Sequence, residues 1–115
     1  METIYDITQC TNALKKILQE YCDILNQQKD NVTSKIIIAD DNTRYLVITE
    51  GWNKVQRIHA LIFDAEIRNN KIWIHHDGID HGITDDLLAA GIAKKQIVLA
   101  FHPPHIRQHT GYAVA

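Results

Sequence analysis

Near the start of the chain, apolar residues recur at intervals of three or four: Ile7, Cys10, Leu14, Ile17, Tyr21 and Leu25. That spacing lines one face of a helix and predicts a long amphipathic α-helix from residue 4 to about residue 28. Lys15, Lys16, Glu20 and Gln27 fall elsewhere on its surface. Such a helix packs on a sheet; the alternative, a coiled-coil or partner helix, would want a longer repeat. After the polar stretch QQKDNVTS the pattern changes to strand character in residues 35–39, 44–49, 55–67 and 71–75. The links between them, Asp40-Asp41-Asn42-Thr43, Gly51-Trp52-Asn53-Lys54 and Asn69-Asn70, are short and rich in turn formers. Consecutive strands should therefore be antiparallel neighbours in a four-strand meander.

Asp77-Gly78 ends the fourth strand. Thr84 then reads as a helix N-cap, with Asp85 and Asp86 in the first turn, where negative charge favours the helix dipole. Leu87, Leu88 and Ile92 supply the apolar side, and Gly91 sits where a helix commonly stops. Residues 97–101 form a continuous apolar run, hence a buried strand, and Pro103-Pro104 prevents its extension. The order α-β-β-β-β-α-β predicts a single α+β domain over residues 1–115. It consists of a long N-terminal helix, a four-strand antiparallel meander, a short helix and a C-terminal strand.

The central strands bear on assembly. Ile58, Ala60 and Ile62 fall on one face of the third strand, and His59, Leu61 and Phe63 on the other. The segment Tyr45-Leu46-Val47-Ile48 is also apolar on both sides. An antiparallel sheet with one wet face should alternate more cleanly. The expectation is a sheet covered on both faces, by a homodimer or a partner, with the alternative that the helices and tail cover it.

Composition narrows the function classes. The chain has 115 residues, 45% apolar and 23% charged, with a formal net charge of −2. A protein that grips duplex DNA alone usually carries a basic surplus, so direct DNA binding is doubtful. No apolar run approaches the roughly 20 residues that span a bilayer. The N-terminal METIYDITQ lacks the features of a signal peptide, so a cytoplasmic protein is expected. Cys10 and Cys22, on one helix, would lie about 18 Å apart, too far for a disulfide. They read as reduced thiols.

Seven histidines invite a metal hypothesis. His75 and His76 are adjacent on a strand and should point to opposite faces. His76, Asp77 and His81 match no standard zinc spacing. His102, His105 and His109 crowd the tail, where a helix after Pro104 would align His105 with His109, without the intervening Glu of a zincin helix. Asp64 and Glu66, two apart on one strand, could serve a metal-dependent nuclease or hydrolase with Lys71 nearby. Neither group predicts a metal or a catalytic residue, and no cofactor is expected. There is no phosphate-cradling loop and no serine elbow, Ser34 being the one serine. Trp52, Arg57, His59 and Trp73, rich in the residue types of protein interfaces, remain as contact candidates.

Several pieces of the chain together resemble one family. They are Gly51-Trp52, Arg57-Ile58-His59, the KIWI segment beginning at Lys71, Asp77-Gly78, Gly82-Ile83, Leu88 with Ala90-Gly91-Ile92, QIVLAFH beginning at Gln96, Pro104, Arg107 and the terminal TGYAVA. The whole chain resembles the XisI family, excision controlling factors of the fdxN element in cyanobacteria. It departs from the family pattern at Ala60, where glycine is common, at Asp64, where histidine is common, and at His75, where glutamine is common. The resemblance implies a non-enzymatic accessory factor acting with an XisH-like, endonuclease-like protein and a site-specific recombinase during heterocyst differentiation. A DNA-binding accessory protein and a metal-dependent nuclease are the alternatives. Asp77, His102 and Arg107 join Trp52, Arg57, His59 and Trp73 as the expected interaction surface.

Overall fold

The computed structural model describes residues 6–27 and 31–115. Helix α1 (Ile7–Asn26) begins at a capping box: the Asp6 carboxylate accepts from the Gln9 N–H, and the Gln9 side chain accepts from the Asp6 N–H. Two otherwise orphaned donors are satisfied there. Its fully packed stripe is Cys10, Leu14, Leu18 and Cys22, all spaced by four. The predicted stripe was centred slightly off this line; Ile17 and Tyr21 lie at its margin and are partly buried. Burial raises both thiol pKa values, the charge of Asp6 adding for Cys10 and that of Asp23 for Cys22. The predicted helix ends at residues 4 and 28 lie outside the described residues.

The sheet has five strands in sequence order: β1 (Val32–Ile38), β2 (Arg44–Asn53), β3 (Gln56–Arg68), β4 (Lys71–Asp77) and β5 (Ile97–Leu99). The first four form the expected antiparallel meander, and β5 joins β4 in parallel. Asn69 and Asn70 both take positive φ, as a two-residue hairpin turn requires. The β2–β3 turn is Lys54-Val55, so the predicted linker residues Gly51, Trp52 and Asn53 belong to β2 instead. Gly51 is there for another reason. A Cβ at this position would lie 1.9 Å from the Asn31 carbonyl oxygen, so only glycine lets β1 approach.

Helix α2 (Thr84–Ala89) and a 3-10 turn (Lys94–Gln96) carry the chain from β4 to β5. Ile83, not Thr84, is the N-cap, and it makes no side-chain cap bond. The Ile83 N–H is taken by Asp77, which fixes the helix start one residue earlier. Helix α3 (Pro104–Arg107) is a single turn. It ends before His109, which removes the helical alignment of His105 with His109.

One sheet face packs on α1 and α2 around Tyr45, Val47, Phe63, Ala65, Ile72, Ile74, Ile97 and Leu99. The apparent two-sided pattern of β3 has a specific cause. Val47 pairs with Phe63 but Ile48 pairs with Leu61, so Ile62 is a bulged extra residue. A bulge reverses the alternation. Phe63 therefore shares the core face with the residues expected to oppose it.

Candidate interaction surface

The other sheet face can be built residue by residue from the alternation on each strand. On β2, Tyr45 and Val47 are buried in the core, so Arg44, Leu46, Ile48, Glu50 and Trp52 point outward. Their cross-strand partners are Ile37 and Lys35 on β1 and Arg57, His59, Leu61, Asp64 and Glu66 on β3. Paired across strands, these residues form three bands.

At the hairpin end, Trp52 is 52% exposed and the Arg57 guanidinium lies 5.7 Å from its ring centroid. Arg57 also donates to the Gly51 carbonyl at 3.1 Å and to Glu50 Oε2 at 3.4 Å. His59 stands opposite Glu50 on the neighbouring strand. The middle band is apolar: Ile37 pairs with Leu46 and Ile48 with Leu61, and Ile37 and Leu61 are each 44% exposed. Beyond it, Arg44 grips Asp64 with two bonds, Nε to Oδ1 at 2.6 Å and Nη2 to Oδ2 at 2.9 Å. Glu66 meets His75 Nε2 at 2.9 Å and Arg68 Nη1 at 3.8 Å. An apolar centre with charged, aromatic-tipped margins is how protein interfaces are composed.

The fourth part of this face is closed by the chain itself. Trp73, opposite Glu66, is only 5% exposed. Its Nε1 donates to the Arg68 carbonyl at 3.0 Å, and the Arg68 and Arg107 guanidinium carbons lie 3.6 and 5.7 Å from its ring centroid. Arg107 in turn donates to the carbonyls of His102, Ala100 and Val114. Ala113 bridges to Val98, completing the cover.

Three of the expected contact residues have partners within the chain itself. Trp73 is interior. Arg107 staples the tail over it. Asp77 accepts from the N–H groups of Ile79 and Ile83, which shapes the loop into α2 and seats both isoleucines in the core. His102 is half-buried, its ring tilted against exposed Phe101 at 4.6 Å, remote in sequence and in its contacts from the hairpin cluster. Trp52, Arg57 and His59 remain together on an open surface. The residues between them and the charged flank, Ile37, Leu46, Ile48 and Leu61, were not among the expected contact residues, although the apolar pattern of β2 and β3 had pointed to a second covered face.

The carboxylates offered for catalysis are occupied. Asp64 is held by Arg44, and Glu66 by His75 and Arg68. Hydrogen bonding to Asp64 raises the Arg44 pKa. Among the described residues no three of His, Cys, Asp and Glu converge on a position that could hold a metal ion. A separate groove of about 660 Å³ runs between α1 and α2, floored by Ala13, Ile17, Ala89 and Ala90 with Lys16, Glu20 and His81 on its rim.

The family model for XisI protein matches residues 1–114. The chain belongs to the XisI family. Two solved structures with this XisI architecture are both from Anabaena variabilis. The fdxN element excision controlling factor XisI is 34% identical, with a TM-score of 0.79 over 95% of this chain and 98% of that one. A XisI-like protein is 26% identical, with a TM-score of 0.84 over 95% of this chain and 99% of that one. No curated protein matches. The observed helix, five-strand sheet and small helices are thus the XisI α+β fold, and no described helix is long and apolar enough to cross a membrane.

Proposed function

We propose that this chain is a non-enzymatic accessory factor in the excision of a DNA element, acting through protein contacts made by the outer face of β1–β3. The likeness to an excision controlling factor supports the process. The observation that carries the mode of action is the outward apolar band of exposed Ile37 and Leu61 with half-buried Leu46 and Ile48, flanked by the Trp52–Arg57 stack. Exposed apolar surface of this kind, rimmed by paired charges, marks a docking site. The partner in this reading is an XisH-like protein in the cytoplasm, through which a site-specific recombinase would be reached. Contact with DNA would then be the partner's task, in keeping with the net charge of −2.

Co-expression with an XisH-like protein tests the reading. The pair should co-purify, and Leu61→Arg or Trp52→Ala should weaken the complex on the order of 10- to 100-fold, the range of interface hot spots. Absence of a complex, or a complex indifferent to both substitutions, overturns it. Tight, salt-sensitive binding of the chain alone to DNA would favour the DNA-binding alternative instead.

A further inference from the structure

The free edge of β1 has an unusual pattern of satisfaction. Trp52 N–H donates to the Asn31 carbonyl and Ala39 N–H to the Arg44 carbonyl, each at 3.0 Å. With the register Val32↔Gly51 through Ile38↔Tyr45, these bonds fix the parity of the strand. Odd-numbered residues bond to β2; Val32, Ser34, Ile36 and Ile38 turn their N–H and C=O groups to the edge. Ser34 is capped there: its N–H and C=O are both taken by the Asn26 side-chain amide at 2.9 Å. Among the described residues nothing meets the edge at Ile36 and Ile38. The side chains in this stretch are apolar and open, Ile37 at 44% and Ile38 at 37% exposure. Neither a proline nor a bulge interrupts β1, the usual protections of an exposed edge.

We propose that a second copy of this chain pairs on this edge, antiparallel, about a two-fold axis through Ile37. Ile36 of each copy then exchanges both backbone hydrogen bonds with Ile38 of the other. The two Ile37 residues face one another as a non-hydrogen-bonded pair, with Cα atoms about 4.5 Å apart. Charge does not oppose a like chain in this register: Lys35 falls opposite Ala39 of the other copy, and the symmetry repeats that pair at the other end, so no like charges face one another across the pairing. The chain turns away at Asp40–Thr43, before it would reach the other copy's Asn26, so the capped and open parts of the edge match the length of the pairing. The two sheets become one, and the apolar bands of both copies become continuous. This inference stands whether or not an XisH-like protein binds the outer face.

Cysteine cross-linking distinguishes this arrangement from sheets packed face to face. Under mild oxidation, Ile37→Cys should give a reducible dimer, since the facing Cα atoms lie within disulfide range. Leu61→Cys, on the same face but two strands inward, should give no cross-linked dimer. Cys10 and Cys22 are buried and do not compete. Sedimentation velocity from about 1 μM to about 1 mM should show a concentration-dependent dimer for the unmodified chain. Ile38→Pro should abolish it, because that N–H is not part of the ladder with β2. Ile37→Lys, which opposes two like charges across the axis, serves if the proline variant fails to fold. A monomer at all concentrations overturns the proposal. So does cross-linking by Leu61→Cys without Ile37→Cys, or a dimer that survives in folded Ile38→Pro or in Ile37→Lys.

Discussion

Asn26, the last residue of α1, uses both ends of its side-chain amide on Ser34 of β1: Oδ1 accepts from the Ser34 N–H and Nδ2 donates to the Ser34 C=O, each at 2.9 Å. The amide imitates one rung of a neighbouring strand and ties the end of the helix to the sheet edge. The Ser34 hydroxyl meets the Thr49 hydroxyl at 2.8 Å, which anchors the same point to β2.

Asn26→Ala should therefore cost about 1–2 kcal/mol, the range for two lost hydrogen bonds at a partly buried site. That corresponds to a fall in Tm of roughly 5–10 °C, read by calorimetry. Asn26→Asp keeps the acceptor but loses the donor and should fall between. A Tm unchanged in the alanine variant would show that water replaces the amide without penalty.

Trp73 and Trp52 should behave as opposites. Trp73→Ala empties a buried site and should destabilise by about 3–5 kcal/mol, whereas Trp52→Ala should leave Tm nearly unchanged. Arg107→Ala removes the donors that hold Ala100, His102 and Val114, so the tail should become sensitive to proteolysis before the sheet does. Acrylamide quenching gives an independent readout: Trp52 should be quenched readily and Trp73 hardly at all. Equal quenching of the two would contradict the closed tail.

Gly51→Ala should be among the most damaging single-methyl additions in the chain. Its φ of 154° is unfavourable for other residues, and the new Cβ would overlap the backbone of Asn31 and Val32 rather than a movable side chain. A loss of at least about 3 kcal/mol is expected, measured by urea denaturation. A loss under 1 kcal/mol, on the order of an ordinary surface change, would mean that β1 can shift away from β2 at this end.

These residues also show where the sequence was legible. The meander followed from turn chemistry at Asn69-Asn70 and Asp40–Thr43, which is local and needs no tertiary information. The N-cap of α2, expected at Thr84, lies one residue earlier at Ile83, because Asp77, six positions before Ile83, supplies a bond that local capping rules do not count. Gly51 was taken for a turn glycine because close approach of another strand leaves the same residue type. The bulge at Ile62 reversed the faces of β3 from Phe63 onward, so an apparently two-sided strand hid that Phe63 joins Ile58 and Ala60 on the core face. The packing of Arg107 over Trp73 was not legible because a buried tryptophan under a stapled tail and an exposed hot spot have the same composition.

His81 offers a test by pH. Its Nε2 lies 2.8 Å from Asp86 Oδ2, and that hydrogen bond is the main cause of a raised imidazole pKa, aided by the charges of Asp86, Asp77 and Asp80 and opposed by slight desolvation. A pKa higher in the folded chain than in the unfolded one means that the protonated form favours folding. The contribution is fully present below the unfolded value of about 6.5 and is lost as pH rises through the raised folded value. Both side chains are exposed, so salt should weaken the effect. Tm measured from about pH 5.5 to about 8.5 should fall in the unmodified chain relative to His81→Gln. Asp86 also lies in the first turn of α2, where its charge favours the helix. For that reason Asp86→Asn is better read by the NMR titration of His81, which should return toward its ordinary pKa. Parallel Tm curves for the unmodified chain and His81→Gln would show that this ion pair forms without contributing to folding.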